Sequence, residues 1–163
     1  MGKVIGLFIS PSIGVRMQAT NSVRALAGRG LEGDRYALGQ GSYSRHRRQA
    51  ARHVSIIERE AIEASNAELI QHGLLPFEPV ETRRNIVVEG ANDVYALLGQ
   101  EFCIGAVRMR GIEPTTPCHI PSAVVNKTGF AEAYHNRGGI RAEILSDGTV
   151  SVGDVLVVTL EGK

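Results

Sequence analysis

The sequence has no tryptophan and only two cysteines, Cys103 and Cys118. Two thiols cannot build the disulfide framework of a small secreted domain, and they are too few for a zinc or iron–sulfur site made of cysteines alone. The N-terminus lacks the small-residue cleavage site of a signal peptide, and no apolar run approaches the ~20 residues of a transmembrane helix. We therefore expect a cytoplasmic protein with free thiols and no membrane partner.

The chain also lacks an excess of either charge, since its formal net charge is +1. Without a global field we expect no nucleic acid as a partner, and any anion must be recognised locally. The 163 residues are about the length of one domain, and 43% of them are hydrophobic, which is ordinary for a globular protein. The sequence thus predicts a single domain over residues 1–163, large enough to bury a core without disulfides.

Short apolar runs bounded by turn residues dominate the chain. They predict strands at 3–10, 15–27 (one or two strands), 53–57, 85–89, 102–112, 139–145 and 152–160. Residues 58–72 carry apolar side chains at helical spacing with Gly73 as a C-cap, and 94–98 fit one helical turn. Residues 28–36 hold three glycines in six positions, where we expect no regular structure. This pattern favours a mainly β, barrel-like fold with one or two peripheral helices over a βαβ sheet.

The segment 113–121 is a candidate for chemistry because its three prolines hold Cys118 in a rigid stretch after a predicted strand. A thiol acts as a nucleophile or metal ligand only as the thiolate, which needs exposure and polar or cationic surroundings. Thr115 and Thr116 could donate hydrogen bonds to such a sulfur. A small buried residue in a rigid loop is an equally good interpretation of this segment. Cys103, flanked by apolar residues in a predicted strand, is typical of an inert core cysteine.

Arginines supply the candidate anion-binding groups. They lie in a predicted loop and at the ends of predicted strands, and comprise Arg45, Arg47, Arg48, Arg84 and Arg141. The guanidinium group can bind phosphate with two parallel hydrogen bonds. However, a basic loop is more often simply solvated, and arginines at strand ends also form surface ion pairs that contribute little. The residues alone do not decide between these interpretations.

Six segments, taken in order, resemble the MOSC family, which is named for the C-terminal domain of molybdenum cofactor sulfurases. They are GLEGDRY at 30–36, RHVSIIE at 52–58, RRNIVVEG at 83–90, LLGQEFCIGAVRMRG at 97–111, PTTPCH at 114–119 and GGIRAEILSDGTVSVGD at 138–154. The resemblance covers nearly the whole chain and implies a MOSC-type β-barrel. It implies that Cys118 is the functional residue. It further implies that the molybdenum cofactor, a pterin with a phosphate, is held by Arg45, Arg47, Arg48, Arg84, Asn85 and Arg141.

The resemblance leaves three functions open. The first is an oxidoreductase-type module that reduces N-hydroxylated compounds with electrons from a partner protein, with Cys118 as the molybdenum ligand; the pair Arg84-Asn85 is similar to the amidoxime-reducing members. The second is a sulfur carrier that accepts persulfide sulfur on Cys118 from a cysteine desulfurase, in which case pyridoxal phosphate belongs to that partner. The third is a binding module without chemistry. A buried Cys118 sulfur would defeat both of the active interpretations.

Overall fold

Eleven strands build most of the computed structural model, which describes residues 2–12, 14–35, 37 and 53–159. In chain order the strands are β1 (Gly2–Ile9), β2 (Gln18–Thr20), β3 (Ser22–Leu26), β4 (Gly30–Leu31), β5 (Val54–Glu58), β6 (Ile86–Glu89), β7 (Glu101–Ile104), β8 (Val107–Pro114), β9 (Ile140–Ile144), β10 (Gly148–Ser151) and β11 (Val155–Val158). The helices are α1 (Arg59–Gln71), α2 (Ile120–Val125) and α3 (Phe130–Ala133). Short 3-10 turns cover Pro79–Thr82 and Val94–Leu97.

Seven of the strands close into a barrel in the order β11-β7-β8-β9-β5-β6-β1. The barrel closes where β1 pairs with β11, with Gly2 opposite Leu156. Closure removes the unpaired edges that an open sheet would expose. Strand β2 extends the sheet beyond β1, and β10, β3 and β4 form a small second sheet. The mainly β, barrel-type prediction is therefore confirmed, with three helices among the described residues instead of one or two, of which α2 and α3 are short.

Strands β5 and β6 pair in parallel and are connected through α1, whereas the other pairings within the barrel are antiparallel. The barrel thus contains one βαβ unit, which the sequence prediction had set aside. Both faces of β5 are buried, because one faces the barrel interior and the other faces α1 and α3. Burial on both faces explains why the adjacent residues Ile56 and Ile57 are both apolar, so that the strand does not alternate strictly.

Two segments differ from their predicted structure. Residues 102–112 form a hairpin of β7 and β8 instead of one strand, because Gly105 has a φ of +57° and turns the chain between Ile104 and Val107. Glycine at the first position of a two-residue hairpin loop is a favoured arrangement. Within the glycine-rich segment, Gly30 and Leu31 pair with β3, although no regular structure was expected there. The other predicted strands, the helix and its C-terminal Gly73 agree with the structure.

Candidate functional site

Cys118 lies on the connection between β8 and α2. The N–H of Thr115 donates to the carbonyl oxygen of Gly139 at 2.8 Å, which ties the start of this connection to the strand β9. A Cβ atom on Gly138 would collide with the carbonyl oxygen of Thr115, so the close approach of the two segments requires glycine at this position. The Cys118 side chain is exposed, which meets the condition that both active interpretations set.

Arg84, just before β6, is a buried cation with only 6% of its surface exposed. Its Nε donates to the carbonyl oxygen of Gly138 at 2.7 Å, and its Nη1 donates to that of Thr82 at 3.2 Å. The guanidinium carbon also lies 5.9 Å from the ring centroid of Phe130, within the range of a cation–π contact. Among the described residues, Nη2 has no hydrogen-bond partner.

The charge of Arg84 is only partly compensated by the residues that the structure describes. None of the ion pairs found among them includes Arg84. Burial, together with the positive charge of Arg141, lowers the pKa of Arg84 to about 10, whereas the Cys118 sulfur in its charged form acts in the opposite direction. The guanidinium therefore remains charged at neutral pH. Because a buried cation is costly without a counter-charge, this position favours a bound anion.

Two further buried polar atoms near Arg84 lack partners in the described part of the chain, Thr115 Oγ1 and the Tyr134 hydroxyl. Burial raises the pKa of Tyr134, although the charge of Arg84 acts to lower it. The hydroxyl therefore stays protonated and is available as a donor. Buried polar atoms are usually hydrogen-bonded, so atoms without a partner are candidates for ligand contact only where their residue reaches a cavity.

Asn85, next to Arg84, uses its whole side-chain amide within the fold. Its Oδ1 accepts from the N–H and the hydroxyl of Ser55 at 3.0 and 3.1 Å. Its Nδ2 donates to the carbonyl oxygen of Phe8 at 3.1 Å and to Asp34 Oδ1 at 3.3 Å. Asp34 is itself buried and also accepts from the N–H of Ser10 at 2.8 Å. The amide thus holds strands β1, β5 and the glycine-rich segment together, and any action of Asn85 on a ligand passes through these neighbours.

Cys118, Arg84 and Asn85 line one open cavity of about 270 Å³, which we call the Cys118 cavity. The sequence-predicted site residues that lie within the described ranges all line it, namely Cys118, Arg84, Asn85 and Arg141. The remaining three, Arg45, Arg47 and Arg48, lie outside the described residues. Thr115, which the sequence suggested as a donor to the sulfur, is also in the wall. Residues far apart in the sequence are therefore brought to one place.

Sequence reasoning did not select Asp34 or Ser55, which also line the cavity. The signal for Ser55 was a single polar residue inside an apolar strand, since buried polar residues are the informative exceptions in a core. Asp34 belongs to a segment that fits a simple turn, and its burial depends on contacts with Ser10 and Asn85 that only the fold reveals.

The prediction that Cys103 is a core cysteine is wrong. Strand β7 alternates, so that its neighbours Phe102 and Ile104 point into the barrel while Cys103 points outward and is half-buried. Its sulfur lies 3.8 Å from Thr159 Oγ1. The apolar neighbours in the sequence therefore lie on the opposite face of the sheet.

In the part of the chain that the structure describes, no group of three or more His, Cys, Asp or Glu side chains could hold a metal ion. No helix within the same ranges has the length and apolar character needed to cross a membrane.

A family model described as "MOSC domain" matches residues 43–157, well over half of the chain. No curated protein matches the sequence. Among solved structures, the YuaD protein from Bacillus subtilis is similar with a TM-score of 0.79 and 18% identity, over 97% of this chain and 96% of that one. YiiM from Geobacillus stearothermophilus has a TM-score of 0.67 and 15% identity, over 99% of this chain and 77% of that one. YiiM from Escherichia coli has a TM-score of 0.68 and 16% identity, over 98% of this chain and 71% of that one.

Proposed function

Because the chain belongs to the MOSC domain family, which is known to bind the molybdenum cofactor, we propose that the Cys118 cavity holds this pterin cofactor. In this proposal the Cys118 sulfur ligates the molybdenum, and Arg84 and Arg141 bind the cofactor's phosphate. The observation that carries the proposal is that an exposed thiol and an incompletely compensated buried cation line the same cavity.

The residues present fit such a group. Arg84 and Thr115 line the cavity, and a guanidinium group and a hydroxyl are both donors suited to phosphate oxygens. A thiolate is a soft ligand and suits a soft metal centre. In this proposal the organic cofactor supplies the other ligands of the metal, beside the Cys118 sulfur.

The activity we propose is that of an oxidoreductase-type module acting on N-hydroxylated compounds, with electrons from a partner protein. When bound, the cofactor supplies the redox chemistry at its metal. Arg84 compensates the negative charge of the bound group, and Tyr134 remains protonated beside Arg84. Asn85 holds the buried Asp34 carboxylate in the cavity wall. The exposure of Cys118 allows a small substrate to reach the site.

Metal analysis tests this proposal. We expect molybdenum to copurify with the full chain from a host that makes the cofactor, and to be lost from the Cys118→Ala variant. Cys103→Ser is the matched control, because Cys103 lies on β7, which contributes no residue to the wall of the Cys118 cavity. Absence of molybdenum from wild-type protein prepared in a fully cofactor-competent host contradicts the proposal.

A second candidate is a sulfur carrier that accepts persulfide sulfur on Cys118 from a pyridoxal-phosphate-dependent cysteine desulfurase. It is favoured by the exposure of Cys118, which a partner protein's persulfide must contact. Intact-mass analysis after incubation with a desulfurase and cysteine should show one added sulfur atom. The same addition to Cys118→Ala, or no addition at all, contradicts this candidate.

A further inference from the structure

We propose a second activity for the Cys118 cavity, namely the transfer of sulfur from a small sulfane-sulfur anion of the thiosulfate type to the Cys118 thiolate, without a metal or cofactor. Cys118 is exposed and lines the cavity. Arg84 lines the same cavity, is only 6% exposed, and has an Nη2 without a partner among the described residues. A nucleophile and a buried cation suited to an anion therefore share one wall.

The surroundings favour an oxyanion as the donor. Arg84 is in none of the ion pairs found in the described ranges, and Arg141 adds positive charge close enough to affect Arg84. Thr115 Oγ1 supplies a further donor that has no partner within the described ranges. Guanidinium groups match the oxygens of a sulfonate end as they match those of a phosphate. A volume of about 270 Å³ easily accepts a small tetrahedral anion.

The proposed step is balanced in atoms and electrons. The Cys118 thiolate attacks the outer sulfur of thiosulfate, and a new sulfur–sulfur bond forms between that atom and Cys118 Sγ. The sulfur–sulfur bond of thiosulfate breaks, and its electron pair leaves with the sulfite product. Cys118 ends as a persulfide, and no outside oxidant or reductant takes part. Arg84 binds the sulfonate oxygens in the donor and compensates the charge of the leaving sulfite.

This donor differs from the desulfurase of the second candidate function. A desulfurase presents its sulfur on a protein side chain, so the acceptor needs surface contact but no anion pocket. Arg84 lines the cavity and is in no ion pair found among the described residues, so its charge favours a donor that is itself an anion and enters the cavity. The proposed activity also does not depend on molybdenum, because the thiolate alone carries out the displacement.

The test uses the full chain from a host that cannot make the molybdenum cofactor, incubated with thiosulfate. We expect intact-mass analysis to show one added sulfur atom and a matching amount of released sulfite. Cys103→Ser should react like the wild type, and Cys118→Ala should not react. No added sulfur on the wild type, or equal addition to Cys118→Ala, overturns the proposal.

Substitutions of Arg84 and Arg141 test whether the cavity binds the anion or whether Cys118 is simply a reactive thiol. Arg84→Gln removes the charge, so the thiosulfate concentration needed for half-maximal labelling should rise about 10- to 100-fold. Labelling by an uncharged organic trisulfide should change little in the same variant. Arg141→Gln, at a half-buried position, provides the second test if Arg84→Gln does not fold, and should weaken thiosulfate labelling selectively. Equal changes with both donors overturn the anion site.

The outcome is independent of the cofactor proposal. Molybdenum binding is measured on protein from a cofactor-competent host, whereas sulfur transfer is measured on cofactor-free protein. A chain that binds molybdenum but takes no sulfur from thiosulfate overturns only this inference. A chain that accepts the sulfur but binds no molybdenum overturns only the cofactor proposal.

Discussion

At the residue scale, the adjacent residues Arg84 and Asn85 in the wall of the Cys118 cavity have different roles. The Nη2 atom of Arg84 has no hydrogen-bond partner among the described residues. In contrast, both the Oδ1 and the Nδ2 atoms of Asn85 form hydrogen bonds within the fold. The resemblance assigned both residues to cofactor binding. Their contacts favour direct contact with a bound anion for Arg84, and the positioning of Asp34 and Ser55 for Asn85.

Because the amide of Asn85 forms these hydrogen bonds within the fold, we predict that Asn85→Ala destabilises the folded state. The substitution leaves the Asp34 carboxylate and Ser55 without their buried partner, and we expect the free energy of unfolding to fall by about 3 kcal/mol. Urea unfolding measures this change in the free energy of unfolding. The control is Gln71→Ala at an exposed position at the end of α1, which should stay within about 0.5 kcal/mol of the wild type. If Asn85→Ala is as stable as this control, the amide does not have the structural role we assign to it.

At the element scale, the site depends on how closely β9 approaches its neighbours. Gly139, just before β9, has a φ of +82°, and a Cβ atom there would collide with the carbonyl oxygen of Ile56 in β5. The same residue accepts the hydrogen bond from Thr115 that anchors the Cys118 connection. The position of the thiol is therefore linked to the pairing of β5 with β9 through a residue that must be glycine.

The close approach at Gly139 leads to a second prediction, with a matched control at Gly28. Gly28 has a similar φ of +73°, but its Cβ position has no atom within 4 Å. Gly28→Ala should therefore cost only the backbone penalty of about 1 kcal/mol, whereas Gly139→Ala should cost at least about 2 kcal/mol more. The difference between the free energies of unfolding of the two variants measures the cost of the contact with Ile56. Equal losses would show that the contact with Ile56 is easily relaxed.

The junction of β5 and α1 predicts a pH dependence through Glu58. Burial raises the pKa of this carboxyl, with further contributions from Asp93 and Glu60, although the hydrogen bond from the N–H of Val94 at 2.6 Å acts to lower it. The folded state thus holds the Glu58 proton more tightly than the unfolded chain. Stability from this group is therefore lost as the pH rises through the interval between the ordinary carboxyl pKa and the raised one.

A comparison with Glu58→Gln isolates this effect, because glutamine does not titrate and its Oε1 can still accept from Val94. We expect the stability of Glu58→Gln relative to the wild type to increase as the pH rises through that interval, measured by urea unfolding at a series of pH values. Glu32→Gln, which makes the same substitution at an exposed position, is the control. A relative stability that stays constant, or falls with pH, contradicts the account of Glu58.

The sequence predicted best those strands and helices whose structure is determined by residues close to one another in the chain. Strands β5 and β6 are short runs of β-branched residues, and α1 has apolar spacing followed by Gly73. The hairpin of β7 and β8 was missed because only Gly105 interrupts its apolar run. Helices α2 and α3 were missed because six and four residues are too few to show a period. The parallel pairing of β5 with β6 is non-local, and the pattern of neither strand identifies the other as its partner.

At the scale of the whole molecule, barrel closure brings distant residues to one cavity. The motif around Cys118 and the pair Arg84-Asn85 were visible in the sequence, and these residues line the same cavity in the fold. The partnerless Nη2 of Arg84 and the burial of Asp34 were not visible, because both depend on contacts across the barrel. The role of Cys103 was misjudged for the same reason, since the face of a strand is set by its pairing.

The central claim is that the Cys118 sulfur is a ligand of molybdenum in this cavity. X-ray absorption spectroscopy at the molybdenum edge tests it most directly, on cofactor-loaded protein from a competent host and on any metal retained by the Cys118→Ser variant. We predict one sulfur ligand more in the wild type and in Cys103→Ser than in Cys118→Ser. Identical sulfur coordination with and without the Cys118 thiol would contradict the account.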